Sequence, residues 1–283
     1  MSQTKMNETL LEGVKIVSLA MNLPGPLAVR RLRQMGASVI KVEPPVGDPF
    51  ADMCTEWYRE LIEGQKVVRL NLKDSREKTE LEDLLRESDV LITSMRQAAI
   101  ERLGFGWKRL HHLFPRLSQV AITGYPAPNE NLAGHDLTYQ AAANLLSPPD
   151  LPRALLADAA TAERVFSAVL TLLLAKEKGL RAECQQISIV ETTNDFAAPL
   201  RYCLTGEDNL LGGKFAGYSL YPTAQNGWIA LAALESSFWQ RLNAELGFKN
   251  AGKKDLEKVF LTRTAQEWKT WAIKLDIPLE IIR

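Results

Sequence analysis

Asp158, His135 and Glu235 are the residues of this sequence best placed for chemistry, because each stands where a helical pattern begins. Asp158 lies in Leu155-Leu156-Ala157-Asp158-Ala159-Ala160, directly before the apolar run 165–174. An Asp at such a point is favoured as a helix N-cap, so a capping role and a chemical one are both open. His135 stands in Gly134-His135-Asp136 at the start of a shorter helix. Imidazole suits proton transfer near neutral pH, and packing or capping would use the same position. Asp136 reads as the cap of that helix. Glu235 precedes Ser236-Ser237-Phe238-Trp239, where a carboxylate also favours a helix N-terminus. Three cations, Lys73, Arg96 and Arg102, follow strand patterns. They could hold phosphate groups by charge-assisted hydrogen bonds or be solvated loop charges.

The elements that would position these residues follow from periodicity. Short β-branched runs at 14–18, 37–42, 67–72, 89–93 and 118–122 alternate with helical patterns such as 26–35 and 75–88. That rhythm implies a parallel sheet with helices on its faces. Ligands of such sheets bind beyond the carboxyl ends of the strands, which directs attention to the loops after Ser18, Val42, Leu72, Thr93 and Thr123. A helix at 137–146 and one from about 158 follow; the second is nearly continuously apolar and should be buried at the centre. A strand at 186–190 leads into a helix from Glu191. Residues 206–217 read as a Gly-rich polar linker, followed by a strand at 228–234 and helices at 237–246 and 264–275. The predicted fold is α/β: a Rossmann-like large domain over 1–214 and a smaller C-terminal α+β domain over 215–283.

Composition removes several classes. Lys plus Arg and Asp plus Glu both number 34, whereas nucleic-acid partners select a basic excess; a small anionic ligand needs only a few local cations. No apolar run approaches the roughly 20 residues that span a bilayer, and the polar N-terminal stretch lacks the apolar segment of a secretory signal. Three scattered cysteines fit a reducing, cytoplasmic setting and form neither a disulfide framework nor a zinc site. Three histidines, two of them adjacent, lack the spacing of a His-based metal site. No Gly-x-Gly-x-x-Gly or Walker loop occurs. Asn22-Leu23-Pro24-Gly25-Pro26 is a strand-to-helix turn with Pro suited to a first helical position.

That turn opens an ordered series of short motifs. Gly25-Pro26, Leu32-Arg33-Gln34-Met35-Gly36-Ala37, Lys41-Val42-Glu43-Pro44-Pro45 and Gly47-Asp48-Pro49 succeed one another. Val68 to Lys73, Ser88 to Ile92, Glu101 to Gly106, Ile122-Thr123-Gly124-Tyr125 and Gly134-His135-Asp136 continue the series. In this order they resemble the family III CoA-transferases and α-methylacyl-CoA racemases, to about Leu246 and more weakly to Trp271.

The resemblance implies an acyl-CoA thioester as substrate, with coenzyme A part of that substrate and no tightly bound cofactor. It implies that Leu72, Lys73, Ser94, Met95, Arg96, Arg102 and Leu103 line the nucleotide site. Asp158 takes the family's catalytic position: in transferases this carboxylate attacks the thioester and forms an anhydride, and in racemases it exchanges the α-proton. His135 matches the second acid/base of the racemases, and Glu235 a position supporting that pair. An enolate would be held by backbone N–H groups, such as those at the start of the Asp158 helix.

Three departures bear on these expectations. Pro44 replaces an Arg that contacts CoA in some members. Ala159-Ala160-Thr161-Ala162-Glu163 replaces glycines after the Asp, implying a narrower pocket or changed activity. The second domain has no glycine-rich loop of the type that covers the intermediate in some transferases, Gly212-Gly213 being the nearest run. The racemase-like reading is therefore preferred, with CoA transfer through Asp158 as one alternative. A non-catalytic CoA-binding or assembly protein is the other, because family members continue past residue 283. The resemblance also implies a homodimer, interlocked in the family.

Overall fold

The computed structural model describes residues 9–282; the first eight residues of the polar N-terminal stretch, and Arg283, lie outside them. The chain divides between Ala197 and Ala198 into two compact units. Residues 198–214, placed by sequence with the large domain, thus group with the smaller unit.

In the first unit six strands form one parallel sheet. The elements run β1 (Lys15–Ser18), α1 (Pro24–Gln34), β2 (Ser38–Glu43), α2 (Phe50–Met53), α3 (Thr55–Leu61), β3 (Lys66–Arg69), α4 (Ser75–Arg86) and β4 (Val90–Thr93). They continue α5 (Gln97–Leu103), α6 (Trp107–Leu113), β5 (Ser118–Thr123), α7 (Asp136–Ala142), α8 (Leu156–Glu177), β6 (Cys184–Ser188) and α9 (Ile189–Phe196). The order across the sheet is β3-β2-β1-β4-β5-β6. It reverses direction between β1 and β4, so the crevice beyond their carboxyl ends is the switch point where such sheets bind ligands.

Alternation along the strands divides the interior into two layers. Ile16, Val39, Ile92, Val120 and Ile122 face Ala28, Val29 and Leu32 of α1 and Val165, Val169 and Leu172 of α8. Val17, Val42 and Leu91 face Leu81 and Leu85 of α4, Ile100 of α5 and Leu110 of α6. The long α8 is the central helix that its apolar run predicts. Gly25 lets the start of α1 approach the turn after β1, since a Cβ there would lie 2.2 Å from the Ala20 Cβ. At α4 the Asp74 carboxylate accepts from the Arg76 and Glu77 amides at 2.8 and 3.2 Å, a working N-cap.

The second unit holds α10 (Ala198–Arg201), a 3₁₀ turn Leu210–Gly212, β7 (Tyr218–Pro222), β8 (Trp228–Ala232), α11 (Ser236–Leu246), α12 (Lys253–Phe260), α13 (Ala265–Lys274) and β9 (Leu279–Ile282). Its three strands are antiparallel, in the order β7-β8-β9. Tyr221, Ile229, Leu242, Phe260 and Trp268 form its own core. The linker expected over 206–217 therefore contains the 3₁₀ turn, and the strand at once after it, β7, has no clear counterpart in the sequence pattern.

Candidate active site

A cavity of about 280 Å³ opens at the carboxyl ends of the central strands. Met21 and Asn22 follow β1, Ser94, Met95 and Arg96 follow β4, Thr123 and Gly124 end β5, and Ile189 follows β6; the stretch 130–135 closes one side. Asp158 and Tyr139 reach it from two helices.

Asp158 does not cap its helix. It is the third residue of α8, and the N-cap position is held by Leu155, whose side chain makes no capping bond. Among the described residues the Asp158 carboxylate has no hydrogen-bond partner. Its backbone N–H donates to Asp136 Oδ1 at 3.0 Å. Asp136 is 5% exposed, and its Oδ2 accepts from Gln140 Nε2 at 2.6 Å. The sequence pattern reads Asp136 as the cap of its own helix; instead His135 is the N-cap, and Asp136, the first residue of α7, satisfies an orphan N–H of α8. The physical reason is that both helix starts converge here, and the free first-turn amides of α8 attract a neighbouring carboxylate. The same bond removes the Asp158 amide from the donors expected to hold an enolate.

Burial, then the charge of Asp136, pushes the Asp158 carboxyl up from 3.8 to about 7. A helix N-terminus pulls the other way, but is worth only ~0.3–1 kcal/mol, less than one pKa unit. Desolvation wins. The result is a carboxyl able to give or take a proton near neutrality.

His135 is the N-cap residue of α7, exposed at the cavity, with its backbone N–H donating to Thr138 Oγ1 at 3.0 Å. The imidazole makes no capping bond. Asp158 and His135 thus line one cavity. Glu235 belongs to the second unit. It is the N-cap residue of α11, exposed, and its side chain does not cap that helix.

A second, mainly apolar cavity of about 180 Å³ lies along the ends of β1, β2 and β3, with Leu72, Lys73, Met95 and Leu103 in its wall. Met21 and Met95 line both cavities, so the two meet at the switch point. Ser94 Oγ accepts from the Met21 amide at 3.0 Å and fixes this junction. Arg96 belongs to the first cavity. Arg102 is exposed in the last turn of α5 and lines neither: the helix turns it away from the side that carries Leu103. Pro44 lines the second cavity. The loop after β2 is pinned by Lys41, which donates to Asp48 Oδ2 at 2.7 Å and to the Ala20 carbonyl at 3.0 Å, all buried.

Two residues that sequence reasoning passed over also line the first cavity. Glu130 has one oxygen, Oε2, sealed from solvent and without a donor; nothing in a loop sequence flags it. Tyr139 had a signal, its i, i+4 spacing from His135, which places both on one side of α7. Its ring fits between Gly124 and Gly134: a Cβ on either would lie 2.4 and 2.6 Å from Tyr139 atoms. Gly134→Ala is therefore expected to displace the ring at a cost of about 1–3 kcal/mol, read as a lowered urea midpoint together with weakened ligand binding at this cavity.

Among the described residues no group of three His, Cys, Asp or Glu side chains could hold a metal, and no helix is long and apolar enough to cross a membrane.

The strand order, the crevice and the paired cavities define an α/β protein with its cavities at the switch point. The model of CoA-transferase family III matches residues 11–283, and the chain belongs to that family. It is 26% identical over 223 residues to a formyl-CoA:oxalate CoA-transferase of Streptomyces avermitilis, a match covering 74% of this chain and 54% of that protein. The chain thus spans about half the length of such relatives. It is 27% identical over 288 residues to human alpha-methylacyl-CoA racemase, covering 91% of this chain and 74% of the relative. A hypothetical protein of Mycobacterium tuberculosis has the same fold, with a TM-score of 0.84, 23% identity and coverage of 97% of this chain and 84% of that one. A CAIB/BAIF family protein of Brucella suis matches at 0.82 with 20% identity, covering 98% and 84%.

Proposed function

We propose that the chain is an acyl-CoA-thioester enzyme in which Asp158 and His135 exchange the α-proton of a 2-substituted acyl-CoA. The observation that carries this reading is the Asp158 carboxyl, which holds down no helix end and sits near a neutral pKa in a cavity shared with His135. Racemisation needs two groups on opposite faces of a planar enolate, and a carboxylate and an imidazole supply them. The adjoining apolar cavity suits the nucleotide of CoA, with Lys73 beside its phosphates and Leu72 and Leu103 against the base. Arg96, at the cavity of Asp158, suits the pyrophosphate. Arg102 has no part in this arrangement. The exposed side chains of Leu151, Leu155 and Phe196 give apolar material to a homodimer interface.

Incubation with a 2-methylacyl-CoA in deuterium oxide tests the reading directly. Wash-in of deuterium at the α-carbon supports it; acyl-CoA binding with no exchange on a broad panel of acyl groups sinks it. Lys73→Ala is expected to weaken CoA binding about tenfold, with a shallower salt dependence, by titration calorimetry.

The names of the transferase relatives favour a second reading, CoA transfer. There an Asp158 carboxylate oxygen attacks the thioester carbonyl carbon, the C–S bond breaks, and CoA leaves as the thiolate. Hydroxylamine would then trap an Asp158 anhydride as the hydroxamate, without solvent exchange.

A further inference from the structure

The wall of the Asp158 cavity carries a hydroxyl that no other group in the described residues uses. Tyr139 is 3% exposed and packs edge-on to Tyr125, with ring centroids 5.5 Å apart. The two flanking glycines fix its position: a Cβ on Gly124 would lie 2.4 Å from Tyr139 Oη, and one on Gly134 2.7 Å from the same atom. The O–H of a largely buried tyrosine normally finds a partner, and this oxygen is not sealed from solvent. Among the described residues it has no partner, yet the residue lines the cavity with Asp158 and His135, where a ligand can supply the acceptor.

Chemistry at a thioester creates such an acceptor. When the α-proton leaves, the Cα–H pair moves into the Cα–C bond and the carbonyl π pair moves onto oxygen. Attack by a carboxylate on the carbonyl carbon charges the same oxygen. A donor placed where that charge develops is among the largest sources of rate. One backbone candidate, the Asp158 N–H, is already held by Asp136 Oδ1 at 3.0 Å.

We propose that Tyr139 is a catalytic residue whose hydroxyl donates a hydrogen bond to the thioester oxygen of the bound acyl-CoA and stabilises the oxyanion. The proposal rests on the reading that an acyl-CoA thioester occupies this cavity, and it applies to proton exchange and to CoA transfer alike. Tyr139 keeps its proton throughout: the α-proton goes to Asp158 or His135, and the phenol only donates. Burial, then Tyr125 and Asp158, pushes its pKa up to about 12, so it remains a neutral donor across any working pH.

Tyr139→Phe removes the hydroxyl and leaves the ring between the two glycines. The expected result is a fall in kcat of about 100-fold with KM little changed, the pattern of an interaction made in the transition state. A second measurement does not depend on turnover: the infrared stretch of a ¹³C-labelled thioester carbonyl in bound acyl-CoA. It is expected at lower frequency in the wild type than in Tyr139→Phe. An unmoved carbonyl band overturns the proposal even if kcat falls, because the ring would then act by packing alone. Wild-type kcat in the variant overturns it too. If the wild-type protein binds no acyl-CoA, the underlying reading fails and takes the proposal with it. If it binds and Asp158→Asn is inactive while Tyr139→Phe is unaffected, only the Tyr139 assignment fails.

Discussion

Asp158→Asn is expected to lower turnover of an acyl-CoA substrate by about 10³-fold or more while making the folded protein more stable at pH 8. The activity half follows from the carboxylate's role, since neither a proton acceptor nor a nucleophile survives as an amide. The stability half follows from the same burial. The carboxyl titrates at 3.8 when exposed and at about 7 in the fold, so the folded state binds the proton more tightly than the unfolded state. Stability conferred by the neutral form is fully present below about pH 4 and is lost as pH rises toward 7. Above that the loss is constant. At about 1.4 kcal/mol per pKa unit the full difference is on the order of 4–5 kcal/mol. The Asn variant has no such loss, so its urea-derived stability relative to wild type should climb between pH 4 and 7 and then level off. Wild-type activity should rise over the upper part of the same interval, as the carboxylate forms. A variant that is inactive yet more stable excludes unfolding as the cause. Retained turnover, or a stability difference independent of pH, would show that Asp158 neither reacts nor sits in a desolvated wall.

The parallel sheet was legible because its strands are short β-branched runs separated by helices, and each lies within a few residues of its expected place. Its carboxyl-end loops duly form both cavities. The short helices α2, α3 and α5 were not read, since four to seven residues carry too little period to register. At the site the helix start was placed two residues late. That small offset matters, because it separates a capping Asp158 from one in the first turn that makes no capping bond and lines the cavity. The Asp136–Asp158 bond joins residues 22 apart through the convergence of two helix starts, a tertiary contact that no local propensity encodes. Arg102 shows the converse. Its type and neighbourhood fitted a phosphate contact, but the last turn of α5 presents Leu103 to the cavity instead. Glu130 and the two glycines that hold the Tyr139 ring are tertiary features like the Asp136 bond, and Glu130, Gly124 and Gly134 all line the first cavity.

His135→Ala is expected to abolish interconversion of 2-methylacyl-CoA epimers by about 10³-fold without abolishing every isotope exchange. Inversion requires one group to remove the α-proton and another to return one to the opposite face. Asp158 alone can still take the proton from its own face and give a solvent deuteron back to it. The epimer presented to Asp158 should therefore exchange with retention, and the other should not exchange at all. This asymmetry separates the two enzymatic readings. If the chain instead transfers CoA through an Asp158 anhydride, His135→Ala should still give a hydroxylamine-trapped hydroxamate, and neither epimer should exchange in the wild type. Because His135 is exposed and its imidazole makes no capping bond, truncation costs little structure: Thr138 Oγ1 holds the backbone N–H whichever side chain stands at the N-cap. Chiral separation of the product beside its deuterium content reads both quantities in one experiment. Equal exchange of both epimers in the variant would remove the imidazole from the mechanism and require a different second base.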